Sequence, residues 1–318
     1  MTIDKLFTMR ICSLLPSATE TLFELGAGDS VAGITFECDF PPEAKAKRVV
    51  VRTRLEHSED PVEIDRQVKN FVARGESLYE IDHEAVQAIE PDLIITQDLC
   101  HVCAASPGDL GSALATLARK PEVLSLNPRS LGDVWKDILS IGRAIGRTSQ
   151  ARVLVAELEG RISAVAKAVS DSPNRPRVAC LEWLDPPFIA GHWVPEMVAC
   201  AGGVDVFGKA AQPSFRQAWE AVLRENPEVI VILPCGYGLE EAVRQFDVMT
   251  LPEGWESLQA VRDNRIFAVD ASGYFSRPGP RLARGVEILA GILHPESMPV
   301  PHESSGSKVA RITRQPGK

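Results

Sequence analysis

The strongest constraint on this 318-residue chain is a pattern that runs twice in the same order. "RICSLLPSATETLFELGAGDSVAG" returns as "RVACLEW" followed by "VPEMVACAGGVDVFG", and "IEPDLIITQDLC" returns as "ENPEVIVILPCG". The matches align Gly26 with Gly202, Glu20 with Glu196 and Pro91 with Pro227. One such match is ordinary among α/β units, but three in register imply two similar units.

Within the first copy, apolar runs that read as strands ("RICSLL", "SVAGIT", "DLIIT", "EVLSL") alternate with helical stretches. That rhythm predicts parallel sheets covered by helices. Ser17 is placed as the N-cap of the first helix, with Glu20 completing an S-x-x-E capping box. From about 130 to 170 the apolar spacing becomes helical, through "LGDVWKDILSIGRAIG" and "SQARVLVAELEGRISAVAKAVS", until "DSPNRP" breaks the chain. The expected organisation is an N-terminal extension (1–9), an α/β lobe (10–145), an interlobe helix (146–172), a second α/β lobe (173–294) and a disordered tail (295–318).

The net charge of −9 excludes a nucleic-acid binder, which needs a concentrated basic face. No stretch approaches the roughly 20 apolar residues that cross a bilayer. "MTIDKLFTMRICSLLPSATE" lacks a secretory pattern, so the expected address is the cytoplasm, with the periplasm second. Seven cysteines do not form an even disulfide framework. No nucleophile elbow, P-loop or H-E-x-x-H signature is present, so no motif supports catalysis and no cofactor is required.

Parallel sheets bind ligands at the carboxyl ends of their strands, and the unusual residues of this chain collect there. Glu37, Asp39, Trp183, Asp185, His192, Trp193, Tyr237, Tyr274, Phe275 and Arg277 follow five expected strands and are candidates to line one cleft. Residues 49–82 form an insertion that adds Arg52, Arg54 and Tyr79. Cys12 and Cys180 sit inside apolar runs as core thiols, whereas Cys38, Cys100, Cys103 and Cys235 lie beyond strand ends. "CHVC" leaves three readings open: a zinc or iron site built from Cys100, Cys103 and Cys235 with His192 or His101, a redox pair, or an inert cleft wall.

"RICSLLPSATETLFELGAGDSVAGITFECDFPPEA", "PDLIIT", "FIAGHWVPEMVACAGGVDVFG", "PEVIVIL" and "RIFAVDASGYFSRPGPRLARGVEILAGIL" resemble the class III solute-binding proteins of ABC importers, most closely the cobalamin-binding branch. The likeness covers about residues 10 to 293. It implies two Rossmann-like α/β lobes with parallel sheets, joined by one long rigid helix, and a corrinoid, haem or iron-siderophore held in the cleft between them. Carried over by position, the ligand-facing segments are Pro16–Thr19 (with Ser17), Cys38–Phe40, Glu182–Pro187, Gly191–Trp193 and Tyr274–Arg277. Trp183, Phe188, Trp193 and Tyr274 would contact the ring, and Glu20 and Glu196 would be the carboxylates offered to a permease.

The expected function is binding of a cobalamin-like or related metal-chelate ligand by a monomer, with an ABC permease as partner. Two alternatives stand beside it. One is a metal- or thiol-dependent enzyme using Cys100, Cys103 and Cys235, and the other is an intracellular sensor.

Overall fold

A computed structural model describes residues 9–58, 60–97, 111–115, 117–300 and 308–312, apart from the side chains of residues 61, 112 and 113. The chain divides into two compact units. Unit 1 comprises Met1–His57, Ile64–Pro128 and Asp133–Val155; unit 2 comprises Ser58–Glu63, Arg129–Gly132 and Ala156–Lys318.

The first half of the chain carries β1 (Ile11–Ser13), α1 (Pro16–Glu24), β2 (Val31–Thr35), β3 (Arg48–Thr53), α2 (Pro61–Arg74), β4 (Tyr79–Ile81), α3 (His83–Ile89), β5 (Leu93–Gln97), α4 (Gly111–Ala115), β6 (Glu122–Leu126) and α5 (Leu131–Ala144). Its sheet has the order β4-β3-β2-β1-β5-β6. All neighbours are parallel except β3 and β4, so residues 49–82 form a strand–helix–strand extension of the sheet edge. β1 and β5 are buried along their whole length. That explains their unbroken apolar runs, because a central parallel strand has both faces covered.

After α5, Gly146 takes a left-handed φ of 71° and ends the turn, and α6 (Thr148–Ala168) follows. The helical stretch from about 130 to 170 is two helices, and the boundary between the units falls inside α6.

The second half carries β7 (Arg177–Leu184), β8 (Pro187–Ile189), α7 (Val194–Cys200), β9 (Val204–Asp205), β10 (Phe215–Arg216), α8 (Trp219–Glu225), β11 (Val229–Ile232), α9 (Leu239–Val248), α10 (Gln259–Arg262), β12 (Ile266–Val269), α11 (Ala271–Tyr274), α12 (Leu282–Leu293) and β13 (Val309–Arg311). The sheet order is β10-β8-β7-β11-β12-β13, with β9 also paired to β7. β7, β9, β11 and β12 pair in parallel, and β8, β10 and β13 pair antiparallel. Its core includes Leu181, Ile230, Ile232, Phe246, Trp255 and Ile312.

The repeat is written in the backbone as well as in the letters. Gly26 and Gly202 both close a helix in the left-handed region, at φ 71° and 81°. The N–H groups of Leu25, Gly26 and Ala27 bond to the carbonyls of Thr21, Phe23 and Leu22, and those of Ala201, Gly202 and Gly203 bond to Met197, Ala199 and Val198. Glu90 and Asn226, before the aligned prolines, are left-handed as well. Each introduces a carboxylate that receives a backbone N–H at the start of the neighbouring central strand: Arg10 donates to Asp92 Oδ2 and Arg177 to Glu228 Oε2, both at 2.8 Å.

Three local expectations are corrected. α1 starts at Pro16 with Leu15 as N-cap and no side-chain cap, so Ser17 lies inside the helix and the Ser17–Glu20 box does not form. Proline at the first helical position carries the φ a helix needs and lacks the N–H that would otherwise go unpaired, so it starts the helix earlier than the serine. "LDPPFIA", read as loop, is a β7–β8 hairpin with the cis Asp185–Pro186 peptide in its turn. The tail expected to be disordered from 295 contains β13, which pairs with β12 and places Ile312, 7% exposed, in the core.

Candidate ligand-binding site

In unit 2 the strand order reverses around β7, with β9 and β8 on one side and β11 on the other. Such a reversal opens a crevice at the carboxyl ends of the strands. Trp183, near the end of β7, meets Tyr237, in the loop after β11, with ring centroids 5.6 Å apart and planes tilted by 44°. The Trp183 Nε1–H is buried and has no hydrogen-bond partner. Burial, then Glu241 and Cys235, raise the Tyr237 hydroxyl pKa above its ordinary value, so it stays protonated as a donor.

Hydrogen bonds tie the neighbouring loops to this pair. The Cys235 N–H donates to Glu182 O (3.1 Å), and the Ser272 N–H donates to Tyr237 O (2.9 Å). Trp193, 5% exposed at the start of α7, donates its Nε1–H to Phe275 O at 2.7 Å. Ser214 receives the Gly191 N–H (3.1 Å) and donates to Glu182 Oε2 (2.7 Å). Gly191 is required there, because a Cβ would lie 2.5 Å from the Gln212–Ser214 backbone. Asp270 caps α11 by accepting the Gly273 N–H at 2.8 Å.

The structure thus brings Trp183, His192, Trp193, Tyr237, Tyr274 and Phe275 into one bonded set of loops, with differing exposure. Tyr274 and Phe275 are buried at 6% and 1%, while Trp183, His192, Tyr237 and Arg277 are half-buried. Burial first and Arg129 second lower the His192 pKa, which keeps the ring neutral at pH 7. Asp185 sits in the hairpin turn, and Phe188 pairs with Trp183 across β7 and β8 beneath the Arg216 guanidinium, 5.4 Å from its ring. Ser214 and Arg129 were missed by sequence reasoning, since a serine before an edge strand and an arginine before a helix carry no distinctive signal.

A separate recess of about 660 Å3 in unit 2 is bounded by Asp185, Pro186, Pro187, Arg216, Trp219 and Glu253. Among the candidates, Asp185 lines it, together with Pro186 and Pro187 of the carried-over segment Glu182–Pro187. The aromatic loops at the reversal of strand order offer a ligand stacking surface and an unpaired donor together.

In unit 1 the equivalent reversal lies between β1 and β5. Pro16 and Ser17 are buried after β1; the Thr19 hydroxyl donates to Ser13 Oγ (2.8 Å) and lies 3.1 Å from the buried Cys38 Sγ. Beyond β2, Glu37 is half-buried and Asp39 exposed, and Phe36 and Phe40 are exposed aromatics at 40% and 37%. Phe36 had not been singled out. Arg54 serves the extension, donating to Ser77 O (3.2 Å) and lying over the Phe71 ring.

The proposed docking carboxylates are engaged inside the fold. Glu20 is 2% exposed, and Glu196 accepts the N–H of Leu131, the first residue of α5, at 2.9 Å. A carboxylate at that helix start is electrostatically favourable.

Cys100, His101 and Cys103 lie outside the described residues. Cys235 is an exposed free thiol. Among the described residues no group of three or more His, Cys, Asp or Glu side chains is placed to hold a metal ion.

A model of the periplasmic binding protein family matches residues 11–272. The chain belongs to that family. Its members are binding proteins for transport and not enzymes, which removes the catalytic alternative. The chain is 27% identical over 297 residues to an uncharacterised ABC transporter substrate-binding lipoprotein of Bacillus subtilis (strain 168), covering 91% of this chain and 81% of that one. It is 24% identical to a vitamin B12-binding protein of Vibrio cholerae, over 89% and 88% of the two chains. Among solved structures, the apo periplasmic haem-binding protein of Roseiflexus sp. RS-1 superposes with a TM-score of 0.65 at 23% identity, covering 92% of this chain and 100% of that one.

These relatives correct the cytoplasmic address. One is a lipoprotein and another periplasmic, and an importer's binding protein has to meet its ligand on the far side of the membrane. The opening residues of the sequence are a poor guide to export, and the family points outside the cytoplasm. Among the described residues no helix is long and apolar enough to cross a membrane.

Proposed function

We propose that this family member captures a corrinoid or a related flat metal-chelate tetrapyrrole and hands it to an ABC permease. The observation that carries the reading is the Trp183–Tyr237 pair at the reversal of strand order, with a buried indole N–H that lacks a partner. A large planar ring gains from aromatic faces, each stacking contact contributing about 0.5–1.5 kcal/mol beyond the area it buries. An acceptor on the ring's edge would satisfy the Trp183 donor, removing a desolvation penalty of about 1–3 kcal/mol. Trp193 and Tyr274 set the loops that frame the pair, while His192 and Arg277 supply polar contacts at the periphery. Relatives named for binding vitamin B12 and haem support the same ligand class.

The test is a titration of the purified protein with cyanocobalamin, dicyanocobinamide and haemin, followed by ligand absorbance and by tryptophan quenching. At least one should bind stoichiometrically, and Trp183→Ala should weaken it at least tenfold, a loss of about 1.4 kcal/mol. Absence of binding by all three, or full affinity in Trp183→Ala, rejects the reading.

A further inference from the structure

β13, the last strand among the described residues, is linked to the candidate site through Lys308. β13 pairs antiparallel with β12, in the register Phe267 to Arg311, Ala268 to Ala310 and Val269 to Val309. It is anchored by Ile312, whose N–H donates to Ile266 O (2.8 Å), and by the Arg311 guanidinium, which lies over the Phe267 ring at 5.3 Å. Immediately before the strand, Lys308 grips Asp270 twice. Its carbonyl accepts the Asp270 N–H at 3.0 Å, and its ammonium donates to Asp270 Oδ2 at 3.3 Å.

Asp270 is the N-cap of α11, the short turn from which the site's aromatic framework hangs. Its other oxygen, Oδ1, accepts the Gly273 N–H, and a Cβ at residue 273 would lie 3.0 Å from that oxygen, so glycine lets the carboxylate close in. From this turn the Ser272 N–H holds the Tyr237 carbonyl, and the carbonyl of Phe275 receives the Trp193 indole N–H. A carboxylate with each oxygen engaged by a different partner has one orientation, and that orientation fixes the turn. The side chains of Lys308 and Asp270 are 22% and 15% exposed, which limits screening by solvent.

We propose that the C-terminal strand is a brace for the ligand site, with Lys308 as a positioning residue that sets Tyr237 and Trp193 through Asp270 and α11. The proposal deepens the ligand-binding reading and rests on it for its effect on affinity. The contacts of Lys308 described above are to Asp270, so its effect on the aromatic side chains runs through their placement.

The experiment compares wild type, Lys308→Ala, Lys308→Arg and a chain ending at residue 300, using whichever of the three tetrapyrroles the wild type binds. Lys308→Ala should bind about threefold to tenfold more weakly, as expected for losing a partly shielded ion pair that orders the site. Lys308→Arg should restore most of the affinity. Asp270→Asn keeps a capping oxygen but loses the charge, so combined with Lys308→Ala it should add little to either single change. Should the truncated chain fail to fold, the single substitutions carry the test.

Amide exchange at Gly273 and Phe275 gives a readout that needs no ligand, and it should speed up in Lys308→Ala. If the wild type binds none of the three compounds, the functional reading fails, while faster exchange still supports the brace. The brace is overturned if exchange at Gly273 is unchanged in Lys308→Ala. It is also overturned if exchange rises but the affinity of a binding wild type is kept within about twofold, because the strand would then have no bearing on the site.

Discussion

Asp137, on α5, offers a direct test of the electrostatics in unit 1. Its Oδ2 is buried and has no hydrogen-bond partner. Burial, reinforced by Asp133 one helical turn earlier and opposed by Lys136, raises its pKa from 3.8 to about 7. Between these values the unfolded chain has released the proton and the folded chain still holds it. The contribution of Asp137 to stability is therefore highest at low pH, falls as pH rises through the window from 3.8 to about 7, and levels off above it.

At about 1.36 kcal/mol per pH step, the window sets a ceiling of roughly 4 kcal/mol on the loss. Part of the Asp137 side chain stays in water, so screening brings the expected figure down to about 1–2 kcal/mol. Asp137→Asn keeps the shape and removes the titration. Urea unfolding at pH 4.5 and at pH 8 should show the variant close to wild type in acid and about 1–2 kcal/mol more stable at pH 8. Equal differences at the two pH values would refute the argument, because only a titrating group changes sides between them. Asp133→Asn should weaken the effect without abolishing it, as the second cause of the shift.

Further outcomes follow from other contacts. Gly142→Ala should cost about 1–3 kcal/mol in thermal or urea unfolding, since its Cβ would overlap Ala151 Cβ on the facing helix α6. Trp193→Phe removes the donor to the Phe275 carbonyl and should cost about 1–2 kcal/mol together with some tetrapyrrole affinity; an unchanged melting curve would count against the network. His192 has its pKa lowered, so the unfolded chain takes up a proton near 6.5 before the folded one does, and stability should drop as pH falls through 6.5. His192→Gln should flatten that slope in pH-dependent unfolding.

The central strands were legible because a buried parallel strand leaves a continuous apolar run: "DLIIT" overlaps β5, which is buried over all five residues, whereas "EVLSL" coincides with β6, an edge strand that is mostly exposed. The repeat was legible because it rests on backbone positions that select particular residues, such as the left-handed Gly26 and Gly202. Elements that depend on distant pairing were not legible. Three residues of β8 and three of β13 are too few to show a periodicity, and each exists because a neighbouring strand offers its edge. The aromatic candidates of unit 2 stood out by residue type, but their wiring runs through carbonyls of Tyr237 and Phe275, which have no sequence signature. "CHVC" falls outside the described residues, so the question it raised passes to metal analysis of the protein.

β13 has a further consequence for handling the protein. β12 is buried over its four residues and carries the sequence Ile-Phe-Ala-Val. Without β13, its backbone would form an open, uncharged, strongly β-prone border, the kind of edge onto which a second chain adds its own strand. A chain cut before residue 308 is therefore expected to lose colloidal stability before it loses secondary structure. Light scattering at rising concentration would register the difference.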